Sequence, residues 1–243
     1  AALEGEGIDT RGLVVQPEGT TTTVIVLADD AGQHVFLGKY GSGPEVAFSP
    51  DWETQVARAD ALFLSGYSLH EERLAHAALQ SLEVARSNGV RVFFDPGPHI
   101  AGMSPLRIAN ILRQSDALLL TEDEIPLVAG GATGLDRARE LLQSGPALVC
   151  VKRGALGCVI FTGEGQAAHP GYAVTVRDTN AAGDSFAAAF IDAFLRGWPL
   201  EQMAAFANAM GAAKVQKRGS GTRVPTRDEV AAILASHQLH IPF

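Results

Sequence analysis

Nine consecutive residues, Asp178-Thr179-Asn180-Ala181-Ala182-Gly183-Asp184-Ser185-Phe186, hold the residue types best suited to chemistry in this chain. They follow the β-branched stretch Ala173-Val174-Thr175-Val176 and precede an alanine-rich helical pattern over residues 186–196, which predicts a strand-to-helix turn. Small residues at such a turn let backbone N–H groups approach an anion closely, and the positive end of the helix dipole favours that anion. A carboxylate in the helix's first turn, Asp184, then sits where a phosphate could be met by a hydroxyl. That arrangement suits phosphoryl transfer. The plainer reading of the same residues is a small-residue helix start with an acidic cap, so the rest of the chain has to decide.

The elements that must position this run alternate. Residues 20–27 are β-branched, Asp29-Asp30-Ala31-Gly32 is a turn, and residues 34–40 return, so 20–40 is predicted as a hairpin. Gly41-Ser42-Gly43-Pro44 reads as a loop, and Ser49-Pro50-Asp51 opens a helix with a capping hydroxyl and a first-turn proline. Apolar runs at 61–64, 90–94, 117–120 and 147–151 are predicted as strands. Helical patterns over 70–88, 104–114 and 135–143 lie between them, the first with Leu74, Ala78, Leu82 and Ala85 on one face. Residues 157–162 and 172–176 are expected to add edge strands. Helices over 186–196 and 200–216 follow, and Thr226-Arg227-Asp228-Glu229 is a capping box for a last one. Repeated strand–helix units with apolar strands imply a mainly parallel sheet with helices on both faces, a single α/β domain over residues 1–243. Ligands in such sheets bind beyond the carboxyl ends of the strands. Ser65-Gly66, Asp95, Thr121-Glu122-Asp123-Glu124, Lys152-Arg153-Gly154 and the 178–184 run all fall at such ends.

Composition narrows the classes. With 243 residues and 47% apolar side chains the chain can bury a large core. A net charge of −8 argues against a nucleic-acid surface, though not against ATP, whose phosphates are held by local amides and a metal. No apolar run reaches the ~18–20 residues of a membrane span. The two cysteines, Cys150 and Cys158, lie in apolar runs and are expected to pack as small hydrophobes in a cytoplasmic protein without a secretory leader. No H-E-x-x-H pattern supports a catalytic zinc, and no G-x-G-x-x-G after an early strand supports a dinucleotide oxidoreductase.

The run 178–184 resembles the D-T-x-G-A-G-D signature of the ribokinase-like carbohydrate kinases. Thr121-Glu122-Asp123-Glu124 stands where that family has N-x-x-E, and residues 152–157 (Lys152-Arg153-Gly154-Ala155-Leu156-Gly157) resemble its nucleotide loop. Asn208 lies on the helix that helps bind nucleotide, and Gly219-Ser220-Gly221 resembles the late glycine loop. The resemblance implies a three-layer ribokinase-like fold with a small β lid, of which the 20–40 hairpin is part, and ATP-dependent phosphorylation of a hydroxyl on a sugar or similar molecule. On that reading Asp184 accepts the hydroxyl proton, and Ala181, Ala182 and Gly183 form an anion hole with it. Thr121, Lys152, Arg153, Gly154, Gly157, Gly183 and Asn208 bind ATP. Ser65 and Gly66, with Tyr67 beside them, line the acceptor pocket together with Asp184. Glu124 helps place Mg²⁺ through water. Asp178, Asn180 and Gly219 form a monovalent-cation site, with K⁺ as its ion, and the lid mediates a homodimer.

Three departures accompany the match. Ala181 replaces the first glycine of G-A-G-D, Thr121 replaces the asparagine of N-x-x-E, and no early strand with a substrate-binding acid and a G-G pair precedes residue 20, so an N-terminal segment is expected to be missing. A nucleoside kinase of the same fold and a non-catalytic nucleotide-binding relative are the alternatives.

Overall fold

The structure, a computed structural model, describes residues 2–28, 34–42 and 46–243. The chain divides into two compact units, Ala1–Met103 and Ser104–Phe243.

The first unit opens with a single helical turn, α1 (Ala2–Gly5), and the hairpin β1 (Thr23–Ala28) and β2 (His34–Lys39). These strands pair antiparallel with Ile25 opposite Leu37 and Leu27 opposite Val35, as the β-branched pattern predicts. The turn expected at 29–32 lies outside the described residues, as do Gly43 and Pro44 of the next loop. Ser49 caps α2 (Pro50–Ala57), its side chain accepting from Trp52 N. Strands β3 (Ala61–Ser65) and β4 (Arg91–Asp95) run parallel and in register, ending together at Ser65 and Asp95. The helix expected from residue 70 is α3 (Glu72–Ser87) and starts later, because a 3₁₀ turn, Gly66–Leu69, first reverses the chain. Its buried face is Ala75, Ala77, Ser81, Leu82 and Ala85, while Leu74 and Ala78 are half-buried.

In the second unit α4 (Pro105–Arg113), capped by Ser104, leads into β5 (Ala117–Thr121). The short helices α5 (Ile125–Val128) and α6 (Leu135–Glu140) precede β6 (Leu148–Lys152), which pairs parallel with β5. Strands β7 (Cys158–Thr162) and β8 (Gln166–His169) complete an antiparallel meander. Every residue of β5, β6 and β7 except the last is buried, the mark of strands covered on both faces, whereas β8 alternates as an edge does. The chain ends in α7 (Ala182–Leu195), α8 (Leu200–Val215) and α9 (Arg227–Ser236), the last closed by the expected Thr226–Glu229 capping box.

One predicted strand is corrected. Residues 172–176 form no ladder; the edge strand is β8, folded back by a turn in which Thr162 N donates to Gly165 O at 2.9 Å. Tyr172 instead packs inward, its hydroxyl donating to Ala205 O, and burial pushes its phenol up to about 12. The stretch before the 178–184 run is therefore held by α8 rather than by a sheet: the amides of Arg177 and Asp178 both donate to Val215 O, at 2.7 and 3.1 Å.

Candidate active site

α7 starts at Ala182, four residues before the helical pattern read from the sequence. Gly183 and Asp184 at its tip are exposed, whereas Ser185, Phe186, Ala187, Ala189 and Phe190 are buried. The helix is thus anchored by its apolar stripe and presents its first turn outward. First-turn amides have no carbonyl four residues back inside the helix, so they are the groups an anion can use. Ala182 is partly withdrawn from that role, because its N–H closes a turn onto Thr179 O at 3.2 Å.

The helix entry requires a left-handed residue. Ala181 takes φ 60° and ψ 16° at the position where the signature has glycine. An L-residue there costs about 1–2 kcal/mol. Ala181→Gly is expected to stabilise the protein by about 1 kcal/mol, after allowing for the freedom glycine adds to the unfolded chain. Calorimetry should show a Tm higher by about 2–4 °C, and an unchanged or lower Tm would contradict the strain.

Asp178 ties the entry loop down. Its Oδ1 accepts from Asn180 N at 2.9 Å and its Oδ2 from Gly219 N at 2.8 Å. The three residues read together as a cation site are therefore brought together, with two amide donors turned toward one carboxylate.

The ends of β5 and β6 supply the next groups. Thr121 and Lys152 are Cα partners across the parallel pair. The Lys152 ammonium reaches the tip of α7, its Nζ lying 3.9 Å from where a β-carbon on Gly183 would stand. Thr121 and Glu124 form a capping box: the Thr121 hydroxyl accepts from the Glu124 amide, and Glu124 Oε2 accepts from Thr121 N at 2.8 Å. Replacing asparagine by threonine thus preserves a local cap and holds Glu124, which is buried, in one orientation. Arg153 turns to Glu122, at 2.9 Å, in a partly exposed pair of small energetic weight. Gly154 and Gly157 both adopt positive φ in the loop that follows.

Asn208 faces inward. Its amide group donates to Ala204 O at 2.7 Å and to Cys158 Sγ at 3.1 Å. Hydrogen bonding from the Cys150 thiol, and then from Asn208, pulls the Cys158 thiol below its usual range against the effect of burial. Both cysteines are buried thiols outside any disulfide, as their apolar runs predict.

In the first unit Ser65 caps the 3₁₀ turn, its Oγ accepting from Tyr67 N at 3.3 Å. Gly66 is buried; a β-carbon there would come within 1.6 Å of Pro96 O, so glycine is needed for close backbone approach. Sequence reading passed over the ring cluster beside them, in which His99 lies between Tyr67 and His70 at centroid distances of 4.7 and 4.9 Å. It also passed over Lys214, fully buried near the end of α8. The available signal was a lysine inside the alanine-rich stretch Ala212-Ala213-Lys214-Val215.

The second unit thus brings together a helix tip exposing an acid, a lysine beside it and glycine turns after a strand end, an arrangement suited to phosphoryl transfer. Residues 1–227 match the pfkB family carbohydrate kinases, and the chain belongs to that family. It is 32% identical over 238 residues to the ATP-dependent ribose-1-phosphate kinase of Halopiger xanaduensis, covering 96% of this chain and 74% of that one. It is 27% identical over 245 residues to the 5-dehydro-2-deoxygluconokinase of Halalkalibacterium halodurans, again covering 96% of this chain and 74% of the relative. The ribokinase-like fold is shared with a candidate ribokinase II of E. coli solved with ATP and Mg²⁺, at a TM-score of 0.86 and 23% identity, over 97% of this chain and 77% of that one. The chain is accordingly a carbohydrate kinase with a ribokinase-like fold. Among the described residues no helix is long and apolar enough to cross a membrane.

Proposed function

We propose that this chain, acting as one kinase domain in the cytoplasm, moves the terminal phosphoryl group of ATP to a hydroxyl of a phosphorylated or acidic sugar derivative. The observation that carries this reading is the exposed tip of α7, where Asp184 stands in the first turn and Lys152 Nζ lies beside Gly183. The substrate class follows the names of the two relatives, a sugar-phosphate kinase and a sugar-acid kinase.

Asp184 orients the acceptor hydroxyl and takes its proton as the oxygen bonds to phosphorus. The Gly183 and Asp184 amides and the Lys152 ammonium hold the charge that spreads over the moving group's oxygens. A loose phosphoryl-transfer transition state asks for little early proton removal, so orientation weighs more than base strength. Glycine turns at 154 and 157 let the backbone follow the nucleotide. Mg²⁺, when bound with the nucleotide, would supply positive charge that offsets the phosphates. Among the described residues no three His, Cys, Asp or Glu side chains cluster to hold a metal ion. Buried Glu124, at the end of β5, would reach the ion through water, and phosphates and water would supply the other oxygens. Asp178, Asn180 and Gly219 brace the hole from behind, with a positive charge beside them. Ser65 and Gly66 are given to the acceptor by the family resemblance, and the turn they open presents Tyr67, which is 52% exposed.

The test is ATP consumption with ribose 1-phosphate, 5-dehydro-2-deoxygluconate, free sugars and nucleosides, each with and without Mg²⁺. Acceptor-dependent ADP release with a sugar phosphate or sugar acid is the expected result. Turnover with nucleosides alone would make this a nucleoside kinase, and ATP binding without any turnover would make it a non-catalytic relative.

The β1–β2 hairpin fits a homodimer contact. Ile25, Leu27, Val35 and Leu37 share one face of it and are each more than half exposed. Ile25→Glu combined with Leu37→Glu is expected to halve the mass seen by light scattering; a mass unaffected by the pair of charges would count against this contact.

A further inference from the structure

Among the described residues, one buried side-chain nitrogen or oxygen has no hydrogen-bond partner: Nζ of Lys214. The residue is 0% exposed. A lysine buried without an acceptor is costly, and such a group needs a functional or electrostatic reason.

Its place on α8 supplies one. A β-carbon on Gly211 would lie 3.8 Å from Ala182 O and 4.0 Å from Phe186 Cβ, so that face of α8 packs on the first turn of α7. Lys214 is three residues further on, hence on the same face and one turn nearer the end of α8. A helical side chain leans back toward the preceding turn, which carries Lys214 toward the start of α7. The end of α8 is itself bonded to the 177–178 backbone through Val215 O. The lysine therefore lies behind the anion-hole loop, shielded from solvent, between the Asp178 turn and the helix tip.

The groups around Asp178 do not fit a monovalent metal ion. Val215 O has both lone pairs engaged, by Arg177 N and Asp178 N. Asn180 and Gly219 offer amide donors, not oxygens, to the Asp178 carboxylate. A metal ion needs several converging oxygen acceptors.

We propose that Lys214 supplies from within the protein the positive charge that steadies the Asp178 turn and the anion hole, so that the enzyme works without K⁺. This rests on the kinase reading above. Lys214 is a positioning residue: its nitrogen is sealed from the nucleotide and acts through the α7 tip.

The test compares the full chain in K⁺ and in tetramethylammonium salt at equal ionic strength, reading ATP affinity by calorimetry and turnover with the acceptor found above. Wild type is expected to show the same affinity and kcat in both salts, within about twofold. Lys214→Ala is expected to lower kcat by about 10–100-fold in tetramethylammonium and to recover part of that loss with K⁺ or methylammonium, which enter the space the side chain leaves. Wild-type ATP affinity or kcat that rises about tenfold or more with K⁺ overturns the proposal. So does a folded Lys214→Ala protein with wild-type kcat, or one whose loss no small cation restores. If Lys214→Ala fails to fold, the wild-type salt comparison decides. ATP binding that is indifferent to K⁺, with no acceptor turned over, would refute the kinase reading while supporting the built-in charge.

Discussion

Asp184→Asn is expected to lower kcat by about 10²–10⁴-fold, the usual contribution of a positioned proton acceptor. The exchange is nearly isosteric, and Asp184 is exposed at the tip of α7, so the fold should be untouched. On the proposed role ATP affinity should hold or rise, because the substitution removes a negative charge near the place given to the phosphates. The split matters more than the loss. A residue that merely capped the helix would, on becoming asparagine, remain a good cap and leave turnover nearly unchanged. Steady-state kinetics paired with calorimetric ATP binding separates the two roles. A loss of less than tenfold in kcat, or a parallel collapse of ATP binding, would remove Asp184 from the acceptor side of the site.

The second large effect concerns stability. Gly157 has φ 78°, and a β-carbon on it would stand 1.9 Å from His169 O and 2.4 Å from Gly171 N. Both obstacles are backbone, and His169 is fixed by its pairing with Cys158 at the end of the β7–β8 ladder. No side-chain rearrangement relieves such a clash, so Gly157→Ala should cost more than about 4 kcal/mol, at the extreme of single substitutions. Urea unfolding at constant m is the measurement. The loop of Lys152, Arg153 and Gly154 begins at the same corner, where Arg153 N donates to Gly157 O at 2.8 Å. Whatever folded variant survives should therefore also bind ATP weakly. A loss below about 1 kcal/mol would mean that the β7–β8 corner yields, contrary to the packing described.

Local chemistry was legible where it is governed by neighbours in sequence. Ser49, Ser104 and Thr226 act as helix caps, and the apolar runs became β3 to β7, because capping and runs of apolar residues leave signals within a few residues. The 178–184 run was legible for the same reason, since a glycine and an acid at a helix start are a local pattern. What misled was extended geometry without a partner. Residues 172–176 have strand composition but join no ladder, and the edge position went to the less β-prone Gln166–His169. A hairpin turn fixed that pairing, and strand propensity by itself does not choose a partner.

Side-chain fates were the least legible. The structure adds contacts that residue type did not give: the Asn208 amide donates to Cys158 Sγ and Ala204 O, and a β-carbon on Gly66 would clash with Pro96 O. Lys214 carried no motif at all. The order of residues alone determined the helix start at the 178–184 run, its acid and the α/β class, because each depends on backbone dihedrals and hydrophobic periodicity over short spans. Only the tertiary structure decided which amides the Asp178 carboxylate engages, that Lys152 reaches Gly183, and that Lys214 is buried without a hydrogen-bond partner. Those outcomes depend on packing between segments distant in the chain, where direction and distance, not residue type, set the interaction.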